Sequence, residues 1–275
     1  MAAGDIIFAE GSLTPSRHAL KFIATGDQAA LIDEFAVARE AAEDTAGTFT
    51  AWVNLPDITG NYGIVSCGDT AAIEFISLRV NAGKIEAECN AATTQQWEII
   101  STNVVITPHR WHHIALTQDA SLAAPKIYID GVEAVTTISN ATDNAAWFGQ
   151  CELIDDGSIG AAEEAGAAGQ IRECKGGISD VKYWPAELTP ANIKQDYLGQ
   201  APASINSTLT DWWKMTDLTN AVTAANPIIK GASILFVNNY SEFTSRTAFL
   251  GAVVADDTCM SISGSKGQLM IIKAA

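Results

Sequence analysis

Apolar and polar positions alternate with a period of two along much of the chain. Residues 113–117 alternate Ile and Leu with His, Ala and Thr, and residues 126–129 alternate Ile with Lys and Tyr. This period is typical of β-strands with one buried face. Asp130-Gly131 follows, and Asp-Gly between β-forming segments favours a type I′ hairpin turn, in which both residues have positive φ. The pattern therefore predicts a three-stranded antiparallel meander over residues 113–136.

Strand-like segments of the same kind recur without a repeat of sequence. Asn81-Ala82-Gly83 separates two of them as a further hairpin, and strict alternation in another puts Ile178 and Val181 on opposite faces. Turn residues return about every 8–12 positions, which is typical of antiparallel sandwiches and barrels. The segments are TFTAWVNL, ISLRV, KIEAEC, WEIISTNVVI and GGISDVKYW.

One segment, ELTPANIKQDYLG, carries the signals of a short α-helix. Thr189 is placed to cap its N-terminus, with Pro190 as the first helical residue. Leu188 before the cap can pack on Ile193 as a hydrophobic staple. Gly199 supplies a C-terminal stop. We expect this helix of about two turns to close one end of the sandwich.

The predicted organisation has three parts. They are an N-terminal arm at residues 1–16, an all-β sandwich at residues 17–200, and a β-rich C-terminal extension at residues 201–275. The extension contains IIKGASILFV, RTAFLGAVV and CMSISGSKGQLMIIKA, which are rich in β-forming residues. Its strands either complete the main sheets or form a small appended module, and the sequence leaves both arrangements open.

Composition and charge limit the classes of molecule that we expect as binding partners. The chain has 275 residues, 48% hydrophobic and 17% charged, which is a globular composition. Its net charge of −16 would repel polyanions, so nucleic acid is not expected as a partner. No run reaches the ~20 apolar residues that span a bilayer, and the N-terminus has no secretory signal pattern. We therefore expect a protein made in the cytoplasm without a membrane partner.

The cysteines show no metal-binding or disulfide framework. They are odd in number, scattered and without a Cys-x-x-Cys pair, which favours reduced, buried thiols. A Cys151–Cys174 disulfide remains an alternative. The five are Cys67, Cys89, Cys151, Cys174 and Cys259.

Several segments, in order, resemble one family. RWHHIALTQD with KIYIDGVEAV, TFTAWVNLPDITGNYGIVSCGD, SIGA, GGISDVKYWPAELTPANIKQDYLG and HALKFIATGDQAALID together cover about residues 17–199. They resemble the laminin-G-like domains of the concanavalin A-like lectin/glucanase superfamily. The resemblance implies an all-β jelly-roll sandwich with one short helix. Ser179-Asp180 departs from the more usual Asp-Glu of the family.

The resemblance does not extend to a catalytic motif. Glucanases with this sandwich carry Glu-x-Asp-x-x-Glu on one strand, and this chain lacks it, so no catalytic residue is predicted. Glu86 and Glu88 are the nearest pair, because alternate strand residues share a face. A solvated strand face is the alternative explanation for them. His112 and His113 point to opposite faces of a strand and are interpreted as structural.

Calcium is the one cofactor that the resemblance implies. Laminin-G-like and lectin domains bind it through loop carboxylates and carbonyl groups. Asp143, Asp155 and Asp156 lie in acidic loop segments and are the candidate ligands. An ordinary acidic turn is the alternative, and no other cofactor is predicted.

Glycan binding would require exposed aromatic platforms. Trp97, Trp147 and Trp184 are the candidates, with burial in the core as the alternative. Trp212 and Trp213 must face opposite ways if they lie in a strand, so one is expected to be buried and the other exposed or in an interface.

Three functions remain open at this stage. The first is a non-enzymatic virion protein, a phage capsid decoration or outer tail component assembled in the host cytoplasm as a homo-oligomer or bound to other virion proteins. It is favoured by the acidity, the missing leader and the strand-forming tail at residues 227–275, which would dock on a partner. The second is a carbohydrate-binding or adhesion module, and the third is a glycoside hydrolase. The candidate interface residues are Trp212, Trp213, Ile271 and Ile272.

Overall fold

The computed structural model describes residues 18–23, 29–69, 73–121, 123–163, 171–200, 203–217, 219–222, 229–230 and 235–237. The strands are β1 (Ala19–Ile23), β2 (Ala30–Leu31), β3 (Gly47–Asn54), β4 (Asn61–Asp69), β5 (Glu74–Asn81), β6 (Lys84–Ala91), β7 (Thr94–Ser101), β8 (Trp111–Gln118), β9 (Lys126–Ile129), β10 (Val132–Glu133), β11 (Thr136–Ala141), β12 (Asp156–Ile159), β13 (Lys175–Trp184), β14 (Asp211–Trp213), β15 (Ile229–Lys230) and β16 (Leu235–Val237). The helices are α1 (Asp33–Ala41), α2 (Pro190–Tyr197), α3 (Ala203–Asn206) and a 3-10 turn at Phe148–Gln150.

The strands form two antiparallel sheets that enclose one core. Sheet 1 has the order β10-β9-β8-β3-β13-β1-β16, and β14 also pairs with β13. Sheet 2 has the order β11-β7-β6-β5-β4-β12-β2-β15. Residues of both sheets contribute to the same buried hydrophobic cluster. The predicted all-β sandwich is confirmed. Among the described residues, no helix combines the length and apolar character that spanning a bilayer requires.

Aromatic side chains fill one part of this core. Phe49 of β3 and Tyr183 of β13 pack with ring centroids 4.7 Å apart. Phe35 of α1 lies 5.1 Å from the Tyr183 ring and 6.1 Å from that of Phe148. The two contacts of Phe35 are edge-to-face, and such contacts add to the stabilisation from burial alone. Helix α1, which the sequence analysis did not predict, is therefore part of the core.

The predicted hairpins are confirmed in their backbone geometry. Asp130 and Gly131 have φ of 50° and 77° between β9 and β10. Ala82 and Gly83 have φ of 49° and 77° between β5 and β6. Two consecutive residues with positive φ are the signature of a type I′ turn. After β10 the chain crosses to the other sheet, where β11 pairs with β7.

Helix α2 begins and ends where the sequence predicts. The Thr189 hydroxyl accepts a hydrogen bond from the Asn192 backbone N–H, and Gly199 follows the helix with φ of 65°. Leu188 and Ile193 lie in one buried cluster, as the hydrophobic staple requires.

The position of α2 differs from the prediction. Its Asp196 carboxylate accepts hydrogen bonds from Thr50 Oγ1 of β3 at 3.0 Å and Lys182 Nζ of β13 at 2.5 Å. It also contacts His113 Nε2 of β8 at 3.1 Å. These three strands are neighbours in sheet 1, so α2 lies on the outer face of that sheet and not at an end of the sandwich.

A β-bulge in β13 overturns the predicted alternation there. Asp180 has φ of 50°, and the pairing with β3 shifts between Ser179 and Lys182. The extra residue lets Ile178 and Val181 both enter the core, although strict alternation would place them on opposite faces.

Three strands that follow residue 200 belong to the two sheets. Strand β14 pairs with β13, β15 with β2, and β16 with β1. Of the two arrangements that the sequence left open, the described strands adopt the first and extend the main sheets.

Candidate functional site

The outer side of sheet 2 carries a cluster of charged and amide side chains, which we call the polar face. Alternate residues of β5, β6 and β7 point away from the core, and the register places Arg79 opposite Glu86, and Glu88 between Ser77 and Glu98. The intervening apolar residues, such as Leu78 and Ala87, enter the core. The polar face comprises Ser77, Arg79, Asn81, Glu86, Glu88, Asn90, Gln95 and Glu98.

Arg79 lies at the centre of the polar face. Its Nη2 donates hydrogen bonds to Glu86 Oε1 and, at 2.9 Å, to Glu88 Oε2. The same nitrogen lies 3.8 Å from Glu98 Oε1. Oxygens of the three carboxylates all lie within 4.8 Å of one another. One guanidinium therefore offsets the mutual repulsion of three carboxylates.

Side-chain amides occupy the other carboxylate oxygens. Asn81 Nδ2 donates to Glu86 Oε2 at 2.7 Å, and Gln95 Nε2 donates to Glu88 Oε1 at 2.7 Å. Glu86 is 5% exposed and Glu88 8% exposed. The alternative of a solvated strand face is therefore wrong for this pair, because both carboxylates are buried in an ion-pair network.

A neighbouring segment packs beside Arg79. Gly63 of β4 faces the same side as Arg79, and its N–H donates to Arg172 O at 2.7 Å. The Ser66 hydroxyl accepts from the Glu163 N–H at 2.9 Å. A Cβ on Gly63 would come within 2.2 Å of backbone, so only glycine allows this approach. Burial, together with the nearby Arg79 charge, lowers the pKa of the Arg172 guanidinium.

The sequence and the fold agree on one family. Residues 25–194 match the family described as the concanavalin A-like lectin/glucanases superfamily. The chain belongs to this superfamily. The resemblance found in the sequence motifs is confirmed. No curated protein matches the chain in sequence.

Solved structures with the superfamily fold resemble this chain at low sequence identity. A candidate carbohydrate binding protein from Bacteroides ovatus superposes with a TM-score of 0.52 and 17% identity, covering 82% of this chain and 61% of its own. The CBM40 of the Ruminococcus gnavus IT-sialidase, bound to α2,3 sialyllactose, gives 0.52 and 12%, covering 70% and 100%. A leech intramolecular trans-sialidase gives 0.51 and 16%, covering 69% and 27%. These likenesses establish the fold.

The structure corrects the prediction that three tryptophans are exposed ligand platforms. Trp97, Trp147 and Trp184 are each 0% exposed. Trp97 and Trp147 stack on each other in the core of this superfamily member, and Trp184 packs between sheet 1 and α2. Each indole N–H donates to a buried acceptor, so none presents a face to a sugar.

The three aspartates predicted as calcium ligands are not brought together. Among the described residues, Glu86, Glu88 and Glu98 are the one group of three or more potential metal ligands that converge, and it contains no aspartate. Asp143 instead accepts from the Ala145 N–H in a turn. Asp155 is exposed, and Asp156 begins β12. The three aspartates therefore do not share one site, and calcium binding by the separate loops stays a prediction.

The tandem tryptophans point to opposite faces, as predicted. Trp213 is fully buried in the main core, 5.2 Å from Phe35 between ring centroids. Trp212 is half-buried, and the ammonium groups of Lys214 and Lys182 lie 4.0 and 5.1 Å from its ring centroid. Ile271 and Ile272 lie outside the described residues, and the interface role of all four stays a prediction.

The two histidines serve structural contacts. His112 Nδ1 lies 2.9 Å from Asp130 Oδ2, and its Nε2 accepts from the Thr107 N–H. His113 contacts Asp196 of α2, as described above. They face opposite sides of β8 and hold different elements.

Sequence reasoning missed Arg79 and Glu98 as members of the site. The signal for Arg79 was available, because the two-residue turn pairs Asn81 with Lys84 and so puts Arg79 opposite Glu86. Glu98 lies in β7, whose pairing with β6 contains a register shift. Simple counting from the turn therefore does not place it.

Proposed function

We propose that the chain is a non-catalytic carbohydrate-binding protein and that the polar face of sheet 2 is its binding surface. The observation that carries the proposal is the convergence of three carboxylates, a guanidinium and side-chain amides on one outer sheet face. Sugar hydroxyl groups both donate and accept hydrogen bonds, so they match such a mixture of acceptors and donors. Two of the compared structures are described in terms of carbohydrate binding, which supports the proposal.

The accessible rim of the polar face would make the contacts. The Glu98 side chain is 25% exposed, and Gln95 and Asn81 are half-buried, as is Arg172 of the neighbouring segment. Arg79 and the two buried glutamates beneath them hold this rim in a fixed geometry. A rigid site loses little conformational entropy when the ligand binds.

A glycan array followed by calorimetry tests this proposal. We expect the full chain to bind at least one glycan class, and Glu98→Gln to weaken binding about 10-fold through loss of a charge-assisted hydrogen bond. Glu187→Gln is the matched control, because Glu187 is 28% exposed and lies away from the polar face beside Lys126. Silence of the wild-type chain on the array, with and without calcium, would overturn the proposal.

A glycoside hydrolase is the second candidate function, and the distance between two carboxylates favours it. The oxygens of Glu86 and Glu88 lie within 4.8 Å, near the ~5–5.5 Å separation that retaining hydrolases use. Both carboxylates are engaged by Arg79, which favours a binding role for the pair. Turnover of β-glucans that survives unchanged in Glu86→Gln and Glu88→Gln would dismiss these residues as catalysts.

A structural role in a virion stays a prediction alongside glycan binding, since a surface virion protein can also bind glycans. Immunogold electron microscopy of the native source decides it. Regular labelling of capsids or tails would support the role, and labelling of cells or soluble material alone would count against it.

A further inference from the structure

Two buried cysteines lie close together beneath the polar face. Cys89 of β6 and Cys151, which follows the 3-10 turn, have their Sγ atoms 3.9 Å apart. Both side chains are 0% exposed, and the Cys151 thiol also donates to Asn90 O at 3.4 Å. Cys174 was the alternative partner of Cys151 on sequence grounds, whereas Cys89 is the cysteine in contact with Cys151, and all three thiols are free. A disulfide of about 2.05 Å requires the two sulfurs to approach by about 2 Å.

We propose that Cys89 and Cys151 are an oxidative modification site. Their two thiols form an intramolecular disulfide when a small-molecule disulfide, such as oxidised glutathione, acts as the oxidant. The first protein thiolate attacks one sulfur of the oxidant, forming a mixed disulfide and releasing one glutathione thiolate. The second protein thiolate attacks the protein sulfur of that bond and releases the second glutathione. Two protein thiols are oxidised, one disulfide is reduced to two thiols, and the two protons pass to the released glutathiones.

The surroundings of the two cysteines set the order of these steps. Cys89 lies within β6, where hydrogen bonds to β5 and β7 hold it on both sides. Cys151 lies in the irregular segment between the 3-10 turn and β12. Local opening exposes irregular segments more readily than central strands, so Cys151 reacts first and Cys89 resolves the mixed disulfide. Burial raises the pKa of the Cys89 thiol, so the reaction is slow in the closed protein.

The disulfide would link β6, which carries part of the polar face, to the segment that follows the 3-10 turn. The two cysteines are 62 residues apart, and β7 to β11 lie between them. A closed loop of this length restricts the unfolded chain, so the oxidised protein should unfold at higher urea concentration. Cys89 also lies between Glu88 and Asn90 on β6, so the link is made directly behind two members of the polar face.

Thiol counting and peptide mapping of the full chain test the proposal. The reduced protein, which has five cysteines, is incubated with oxidised glutathione in urea below its unfolding midpoint. We expect loss of two thiols, a Cys89–Cys151 peptide, a raised urea midpoint and reversal by dithiothreitol. Cys174→Ser is the matched control and should behave as wild type, whereas Cys89→Ser and Cys151→Ser should form no such link.

The wild-type peptide map decides the matter even where a variant folds poorly. Retention of all five thiols would overturn the proposal. A link through Cys67 of β4, two strands away from β6 in the same sheet, in place of Cys89 would overturn it as well.

Discussion

Arg79 is a single side chain that balances the charge of several neighbouring carboxylates. Its side chain is 4% exposed, and its guanidinium donates hydrogen bonds to two carboxylates and lies 3.8 Å from a third. A buried ion pair contributes little net stability, because desolvation offsets the attraction. Removal of one partner is a different matter, because it leaves the remaining buried charges without compensation. The polar face therefore depends on Arg79 more than on any single carboxylate.

Arg79→Met is expected to destabilise the chain by about 3–5 kcal/mol, because three close carboxylates lose the cation that contacts them directly. Urea unfolding measures the effect. Arg110→Met is the control, since Arg110 is exposed and its loss should cost no more than about 0.5 kcal/mol. Equal stability of the two variants would show that the ion-pair cluster is not formed.

Asp57 gives a pH dependence whose sign is fixed by its contacts. The Tyr62 hydroxyl donates to its carboxylate at 2.6 Å, and this contact is the main reason that the pKa of Asp57 falls to about 2. A lowered folded-state pKa means that this stabilisation is complete above the ordinary value of 3.8 and is lost as pH falls through about 2. We expect Asp57→Asn and Tyr62→Phe both to flatten the urea midpoint profile in this window. An unchanged profile in both variants would contradict the assignment.

Strand β14 has three residues and contributes a large side chain to the hydrophobic core. It pairs with β13 only over Asp211–Trp213, yet it delivers Trp213 to the main core and Trp212 to the outer side. A short strand has few hydrogen bonds of its own, so its stability comes from the side chain that it buries. Helix α2 follows the same rule, because its buried Asp196 holds it to three strands of sheet 1.

The tandem tryptophans make a matched pair for testing β14. Trp213→Ala should cost about 3–5 kcal/mol, since it leaves a large cavity beside Phe35. Trp212→Ala should cost less, roughly 1–2 kcal/mol, because the ring is half-buried, packs only at the edge of the cluster between sheet 1 and α2, and leaves no enclosed cavity. The reverse order in thermal or urea unfolding would mean that the strand faces the other way.

The whole molecule is held together by pairings between distant parts of the sequence. Strands that follow residue 200 join both sheets, and the compact unit that contains them runs from Met1 to Thr244. The core therefore needs residues from beyond the segment that matches the superfamily, which ends at residue 194. Trp213 and Met215 are examples, because both lie in the main hydrophobic cluster.

Truncation at two positions tests this dependence. A chain ending at residue 244 should retain a cooperative urea transition, whereas one ending at residue 200 should lose it or unfold at much lower urea, because β14, β15 and β16 are missing. Circular dichroism and urea titration of both chains provide the measurement. A fully cooperative chain ending at residue 200 would refute the expectation.

Local chemistry made part of the fold predictable. The turns at Asp130-Gly131 and Ala82-Gly83, and the cap at Thr189, depend on residues close in sequence, and each was found from the sequence. The bulge at Asp180 depends on the pairing of β13 with β3, which local periodicity does not report. Strand β3 is buried along its whole length, so its pattern cannot show which face meets the core.

The candidate site was predictable only in part. Glu86 and Glu88 were named as a pair because alternate residues share a strand face. Their burial was not foreseen, because it depends on hydrogen bonds from Arg79 of β5 and from Asn81 and Gln95, which the fold brings together across three strands. The predicted tryptophan platforms failed for the same reason, since the sequence does not show that the two sheets cover Trp97 and Trp147 or that α2 covers Trp184.

The ion pairs that Arg79 makes with its glutamates also constrain which substitutions this chain can accept during evolution. Loss of Arg79 alone removes the cation that contacts all three carboxylates, and loss of one glutamate alone leaves the others paired. Acceptable substitution paths therefore neutralise one glutamate before the arginine, and exchange the arginine together with its remaining glutamates. Descendant sequences should carry the arginine with two or three of its acids, or an apolar set in all four positions, and an arginine-free sequence that keeps the three acids should be rare.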